Sequence, residues 1–434
     1  MKVLYLTQLA TGASNYLKEN TSGRSWVTSL GDIIKKDKDI QLAVCFFNND
    51  AKDFKFHYED ITYYPIKDKL STKFNKIKAK LFGTLWDSNL PDLLKVVDDY
   101  KPDIIQLFGT ESGMGEIVGY TKVPIIIHIQ GILNPYVSNW LPRGFKLNTI
   151  LLYSSIYDLL LRRDLYSDYL LLKKMAKREE YIIKNSKYFF GRTDWDKRII
   201  KLFNHNSEYF HCNEALRPIM SENKWEYTNN QTLRLVSVLN PFIYKGLDIV
   251  IETANLLKNK FNIKFEWAII GMENDNKVVK IIERTKGMKF IDNSVNFKGQ
   301  KLGSDLISEL LESNLFIHPS HIENSPNSVC EAMLLGMPVI AGDVGGVASL
   351  IETGQSGICY NSQDPYDLAS IISEKAFDRK TLEILGENAH DVAAIRHDKS
   401  QIASVVKNTY EYILFKENKN NSAKTSKKES KINQ

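Results

Sequence analysis

His318-Pro319-Ser320-His321-Ile322-Glu323-Asn324-Ser325-Pro326-Asn327-Ser328-Val329-Cys330-Glu331-Ala332-Met333 is the stretch whose reading decides how this chain folds. Leu315 to His318, just ahead of and into it, is a short apolar run of the kind that forms a buried strand. A polar loop with two prolines follows, and a helix begins near Ser328 with Glu331 in its first turn. Strand, loop, helix in that order leaves loop and helix-start amides beyond the carboxyl end of the strand. Free N–H groups and the helix dipole together favour an anion there, and Asn324, Ser325, Pro326 and Asn327 are placed to hold a diphosphate. The carboxylates of Glu323 and Glu331 only accept hydrogen bonds, which suits the hydroxyls of a sugar and of a ribose. Read alone, the two residues serve as well for a solvated loop charge and a helix-start residue that complements the dipole.

Working outward, the same unit recurs. Val3 to Leu6, Gln41 to Phe47, Ile104 to Phe108, Ile125 to Ile129 and Lys187 to Phe190 have the strand pattern in the first half. Arg234 to Leu239, Phe265 to Ile270 and Pro338 to Ala341 join Leu315 to His318 in the second. Short branched-apolar strands alternating with helical patterns give an α/β fold, with parallel sheets covered by helices. At 434 residues the chain exceeds what one core organises, so two Rossmann-like domains are expected. The predicted division is 1–216 for the N-terminal, acceptor-side domain and 217–399 for the C-terminal domain. A last helix over 400–416 and a Lys-rich tail over 417–434 follow. The break falls in Leu216 to Gln231, which is polar and contains Pro218. Ligands of open parallel sheets bind beyond the carboxyl ends of the strands, so two facing sheets place the site in the cleft between them.

Composition narrows the classes. With 43% hydrophobic and 25% charged residues the chain is globular. Its four cysteines, Cys45, Cys212, Cys330 and Cys359, form no C-x-x-C pair, which argues against a disulfide framework or thiolate zinc site and suits a cytoplasmic location. The first residues read as a strand rather than a signal peptide, and no apolar run is long enough to span a membrane. The net charge is +5, and the tail from Lys416 holds six lysines against Glu417 and Glu429. The body is therefore nearly neutral and shows no basic stripe for nucleic acid. The tail itself has one branched apolar residue, cannot bury a core and is expected to be disordered.

The spacing Glu323-x7-Glu331, after Pro319-Ser320 and before Ala332-Met333-Leu334-Leu335-Gly336-Met337-Pro338, resembles the hallmark of retaining glycosyltransferases of family four, including bacterial polysaccharide-assembly members. The loop Gly342-Asp343-Val344-Gly345-Gly346 is similar to that family's as well, although Ser349 stands where the family often has Glu. The resemblance implies a GT-B fold, with the last helix crossing back onto the first domain. It also implies that Glu323 contacts the donor sugar and Glu331 the ribose. Lys245-Gly246 matches a family pattern in which the lysine faces the diphosphate, while Asn240 stands where the family commonly has Arg. Arg192, at a strand end in Tyr188-Phe189-Phe190-Gly191-Arg192, is the candidate to supply that second cation, or else to pair with Asp194 or Asp196. Glu214 and Arg217, just before the hinge, carry the same ambiguity. His128 is expected either in the cleft beside the sugar or as a buried histidine satisfying a core hydrogen bond. Gly23 matches the glycine loop after the first strand that approaches phosphates and acceptor.

The implied activity moves a sugar from a nucleoside diphosphate sugar to a glycan or lipid-linked acceptor with retention, without metal or cofactor. A catalytically idle nucleotide-sugar-binding partner and a GT-B sugar-nucleotide epimerase are the alternatives. Asp194-Trp195-Asp196 and Asp37-Lys38-Asp39 have the form of metal-binding pairs, but the first suits a helix start. Lys67 to Lys80, with six lysines, and Ile150 to Lys174, rich in Leu and Tyr, mix cationic and apolar residues as interfacial helices do. They suggest peripheral attachment to an anionic membrane on its cytoplasmic face.

Overall fold

The computed structural model describes residues 1–13, 16–17, 25–50, 53–69, 89–229 and 231–432. Among them, eight strands form a first sheet: β1 (Lys2–Leu6), β2 (Gln41–Phe47), β3 (Phe56–Tyr58), β4 (Ile61–Ile66), β5 (Ile104–Phe108), β6 (Ile125–His128), β7 (Tyr188–Gly191) and β8 (Glu208–His211). Their order is β3-β4-β2-β1-β5-β6-β7-β8, parallel throughout except that β3 runs antiparallel to β4. A second sheet, entirely parallel, is built from β9 (Leu233–Val238), β10 (Phe265–Ile270), β11 (Val295–Phe297), β12 (Leu315–His318), β13 (Val339–Gly342) and β14 (Ile358–Tyr360), in the order β11-β10-β9-β12-β13-β14. The inner strands are continuous apolar runs because helices cover both faces. Every residue of β5 (IIQLF) and of β12 (LFIH) is buried.

Strand order fixes where a ligand can sit. In the first sheet the chain moves outward from β1 in one direction through β2 and in the other through β5. In the second it diverges between β9 and β12. The crevice at such a switch point is the ligand site of doubly wound sheets.

Two features join the halves. The last helix, Lys399–Ile432, buries Ile402, Val406, Tyr410 and Ile413, spaced along one helical face, in the apolar cluster of the first sheet. The helix runs to Ile432. The second feature is a helical insertion after β6, comprising Leu133–Ser138, Leu147–Tyr153, Ile156–Leu160 and the start of Leu165–Lys184. Its Trp140, Phe145, Ile150 and Leu165 are buried in the core of the second half, so residues 1–216 do not pack as a wholly separate unit. The connecting segment is likewise anchored. Trp225 is buried, its backbone N–H donates to the Leu335 carbonyl (2.7 Å) and its indole N–H to the Ser313 carbonyl (2.7 Å).

Candidate active site

At the switch point of the second sheet, the segment after β9 carries Lys245 and the segment after β12 carries Glu323. Gly246 has φ 80°, and a Cβ there would collide with the Pro319 carbonyl; only glycine lets the two strand-end segments approach this closely. The result is an ion pair between Lys245 Nζ and Glu323 Oε1. His318 Nε2 lies 3.3 Å from the same oxygen. Burial opposes charge on Glu323, but Lys245 and His318 overcome it and hold the carboxyl at about 2. Behind them His321 Nε2 meets Asp248 Oδ1 at 2.8 Å, fixing the loop to the helix Leu247–Asn259. Gly345, at φ 54°, turns the next loop against the Glu323 backbone, and the Gly346 N–H donates to the Glu323 carbonyl at 3.1 Å.

Glu331 lies on the helix Asn327–Leu334. Both its oxygens are taken by Arg217, with Nε donating to Oε1 at 2.8 Å and Nη2 to Oε2 at 2.6 Å. This two-point geometry is the strong form of a charge-assisted pair. Burial nevertheless leaves the Glu331 carboxyl above its ordinary range, against the pull of Arg217.

The side chains between the two glutamates do not point into an empty anion pocket. They strap the halves together. Thr193 Oγ1 donates to Asn324 Oδ1 (2.7 Å), while Asn324 Nδ2 donates to Asp196 Oδ2 (3.0 Å) and the Gln130 carbonyl (3.2 Å). Ser325 Oγ donates to Glu214 Oε1 (2.7 Å), and Arg192 Nη1 donates to Asn327 Oδ1 (3.3 Å). What remains for an anion is backbone: no side chain caps the helix that follows Pro326. Ser349 accepts from the Asp194 N–H at 3.2 Å, so it too bridges the halves. Asp194 and Asp196 open the helix Asp194–Phe203, where Thr193 and Asp196 form a reciprocal cap.

Arg192 follows directly on β7. Its guanidinium is buried, donating to the Gln130 carbonyl (2.7 Å) and lying 3.7 Å from Glu214. The Glu214 carboxylate is fully buried and also 3.9 Å from Arg396. Burial resists its charge, yet Arg192, His397, Arg396 and Ser325 hold it well below the usual carboxylate range. Arg192 thus lies among the buried Glu214, Asn327 and the Gln130 carbonyl. His128 ends β6 but is closed off by Trp26, Phe108 and Phe190, with ring centroids at 4.8, 5.8 and 5.3 Å. Its Nδ1 pairs with Gln106 at 3.2 Å, and Gln106 in turn accepts from Tyr410 of the last helix. Burial, with Arg192 nearby, pushes its pKa down to about 3, so it is neutral. His128 is thus buried at the end of β6. Gly23 and residues 70–88, the bulk of the first basic segment, lie outside the described residues.

The wall facing Lys245 and Glu323 comes from the first half. Tyr136, on the helix Leu133–Ser138, stacks on Tyr244 at 5.4 Å, and Tyr244 stacks on Phe242 at 5.3 Å. Glu111, in the turn after β5, was not singled out in the sequence. Its carboxylate shares the electrostatic surroundings of Tyr136 and Tyr244 with Glu323. The signal that could have marked it is the glycine at the end of a strand beside the switch point.

Residues 220–392 match the family described as "Glycosyl transferases group 1". The amylovoran biosynthesis glycosyltransferase AmsK of Erwinia amylovora is 30% identical over 149 residues, 33% of this chain and 36% of that one. An N,N'-diacetylbacillosaminyl-diphospho-undecaprenol alpha-1,3-N-acetylgalactosaminyltransferase of Campylobacter jejuni is 26% identical over 172 residues, 39% of this chain and 42% of its own. The chain thus spans about two-fifths of the length of these curated relatives. Across nearly the whole chain the fold is that of sucrose-phosphate synthase from Thermosynechococcus elongatus (TM-score 0.69, 13% identity, 95% of this chain and 99% of that one). It is also that of Anabaena Alr3699/HepE in complex with UDP-glucose (TM-score 0.61, 16% identity, 95% and 100%). The second half of this chain thus matches the group 1 glycosyl transferases over residues 220–392, and the whole has a GT-B fold of two parallel-sheet domains.

Proposed function

We propose that the protein transfers a sugar from a nucleoside diphosphate sugar to a hydroxyl of a glycan or lipid-linked acceptor, retaining the anomeric configuration. The observation that carries this reading is the Lys245–Glu323 pair at the switch point of the second sheet, facing the switch-point side of the first. Glu323 accepts hydrogen bonds from the donor sugar, and Glu331 accepts from the ribose once Arg217 yields an oxygen. The bond between the anomeric carbon and the diphosphate breaks with its electron pair leaving on the diphosphate. The acceptor oxygen bonds to the same face of that carbon, and its proton passes to the departing diphosphate. Lys245 and the uncapped amides after Pro326 compensate the growing negative charge, so charge compensation is assigned to the chain rather than to a metal. Asn324, Ser325 and Asn327 act by holding the cleft together rather than by side-chain contact with the donor.

The acceptor reading leans on relatives named for amylovoran biosynthesis and for a diphospho-undecaprenol substrate. It also leans on a surface of the helical insertion: Leu152, Ile156, Tyr157 and Leu160 are 66–77% exposed, and Arg143, Lys146 and Arg163 are exposed nearby. We infer that this surface rests on an anionic membrane at its cytoplasmic side.

The donor is found by thermal shift with UDP-, GDP- and ADP-sugars, followed by nucleotide release and product analysis. With the active donor, Lys245→Ala is expected to lose about 2–4 kcal/mol of transition-state stabilisation, roughly 30- to 1,000-fold in kcat/KM. Chelator should leave the wild type unchanged. An unchanged kcat/KM in the lysine variant removes it from the chemistry, and clean C2 epimerisation of the donor without acceptor replaces transfer with epimerase activity.

A further inference from the structure

We propose that His318 is a positioning residue that takes over Glu323 when Lys245 turns to the diphosphate, keeping the carboxylate charged and its second oxygen toward the donor sugar. This inference rests on the transfer reading above and names the group that keeps Glu323 in place as that reaction proceeds.

The transfer reading asks two competing things of Lys245. Its ammonium is paired with Glu323 Oε1, yet the reaction draws it to the departing diphosphate. Glu323 is only 5% exposed, and a carboxylate left there without a partner either takes up a proton or pulls the lysine back. Either outcome spoils the grip on the sugar or the stabilisation of the leaving group. A second donor on the same oxygen removes the conflict.

His318 is placed to be that donor. It closes β12, its side chain is buried, and Nε2 stands 3.3 Å from Oε1, the oxygen that Lys245 holds. Neither ring nitrogen makes a hydrogen bond while the lysine is in place. A buried polar ring without a partner is costly, and one aimed at an oxygen already served by a lysine is a donor in reserve. The ring cannot follow the lysine away. His318 is registered against Ala341 of β13, and the carbonyl of the next residue, Pro319, lies against Gly246. Both contacts to Glu323 fall on Oε1, which leaves Oε2 to accept from the sugar. The charges around the carboxylate agree with this division. Lys245 and His318 oppose burial there, whereas burial and Glu323 itself hold the Tyr136 and Tyr244 phenols well above their ordinary range, so both stay neutral.

The test uses the full chain with the donor found by thermal shift. It compares His318→Leu, which fills the site without a donor, with His318→Gln, whose amide N–H reaches the place of Nε2. Both should bind the nucleoside diphosphate within about threefold of wild type, with KM for the sugar donor changed as little. His318→Leu should lose about 10- to 100-fold in kcat for donor hydrolysis and for transfer, the scale of one hydrogen bond to a charged group. His318→Gln should recover to within about fivefold of wild type. The pH profile gives a second readout. Losing a donor to the ionised form raises a carboxyl's pKa, so kcat of His318→Leu should still climb between about pH 5 and pH 7, where wild type is level. A kcat within about threefold of wild type in both variants overturns the inference while the transfer reading stands. An equal loss in both with an unshifted pH profile overturns it too, by making His318 a packing residue. Loss of nucleotide affinity in step with kcat overturns it as well, by showing that His318 supports the fold. A wild type that binds nucleotide sugar but neither transfers nor hydrolyses it fails the transfer reading, and this inference falls with it.

Discussion

At the scale of single residues the proposed donor site divides its labour between two glutamates with different partners. Glu323 is paired with a lysine and stays ionised; Glu331 has both oxygens committed to Arg217. Glu323→Ala should leave nucleotide affinity within about threefold and suppress turnover by a hundredfold or more, the scale of a preorganised group at the reacting centre. Glu331→Ala should weaken binding of the nucleotide itself by about 10- to 100-fold, the value of hydrogen bonds to a charged acceptor. Arg217→Ala should cost less affinity than Glu331→Ala, since it leaves the carboxylate free for ribose. Isothermal titration with the nucleoside diphosphate and initial rates with the sugar donor separate these outcomes. Identical profiles for the two glutamate variants would dissolve the division. Both glutamates could be singled out in the sequence because they stand at a fixed spacing within one strand-loop-helix unit. Arg217 was noticed only as ambiguous, because its partner lies 114 residues away and only the folded connection joins them.

At the scale of elements, the short helix Leu133–Ser138 presents Tyr136 to the cleft, and its N-terminus has no cap of its own. Glu179, from the long helix Leu165–Lys184, supplies one. Its Oε1 accepts from the N–H groups of Leu133 (2.7 Å) and Asn134 (3.2 Å), and Thr110 Oγ1 donates to Oε2 at 2.6 Å. Burial, partly offset by these bonds, lifts the carboxyl to about 7. The folded pKa is raised, so the stability it contributes is complete below the unfolded value near 4.5 and is lost as pH rises through 7. A shift of this size corresponds to up to about 3 kcal/mol. Glu179→Gln keeps the accepting oxygen and removes the titration. The difference in melting temperature between variant and wild type should grow in the variant's favour from pH 5 to pH 8; a pH-independent difference would rule the linkage out. Elements were legible in proportion to their burial. β5, β6 and β12 announce themselves as apolar runs, whereas β3, β11 and β14 are three residues each, and Glu208–His211 mixes charge into β8. The same limit hid the partners of Arg192 and Asn324. A polar residue at a strand end reads as a ligand contact until the opposing domain, with Glu214 and Thr193, is in place.

At the scale of the whole molecule, the helical insertion belongs by sequence to the first half but is rooted in the core of the second. Of the Leu-rich segment expected at a membrane, Leu165 is buried and Tyr169 and Leu172 pack on that core, so this part is structural. Arg178 is buried as well and unavailable to a leaflet. The exposed part is Leu152, Ile156, Tyr157 and Leu160, which follows the cleft-lining helix Leu133–Ser138 along the chain. Inserting one such side chain is worth about 1.5–3 kcal/mol, and each nearby cation contributes about 1 kcal/mol at an anionic surface. Two or three of each suffice for reversible attachment, and no described helix is long and apolar enough to cross the bilayer. The protein should therefore sediment with phosphatidylglycerol-containing vesicles, less so with neutral ones, and retain part of its binding at high salt through the apolar contacts. Ile156→Ser combined with Leu160→Ser should abolish that salt-resistant part. Both side chains are about three-quarters exposed, so folding, nucleotide affinity and hydrolysis of soluble donor should be unaffected. Vesicle binding unchanged by the double substitution would move the contact elsewhere, and indifference to anionic vesicles at low salt would end the membrane reading while leaving the chemistry of the cleft intact.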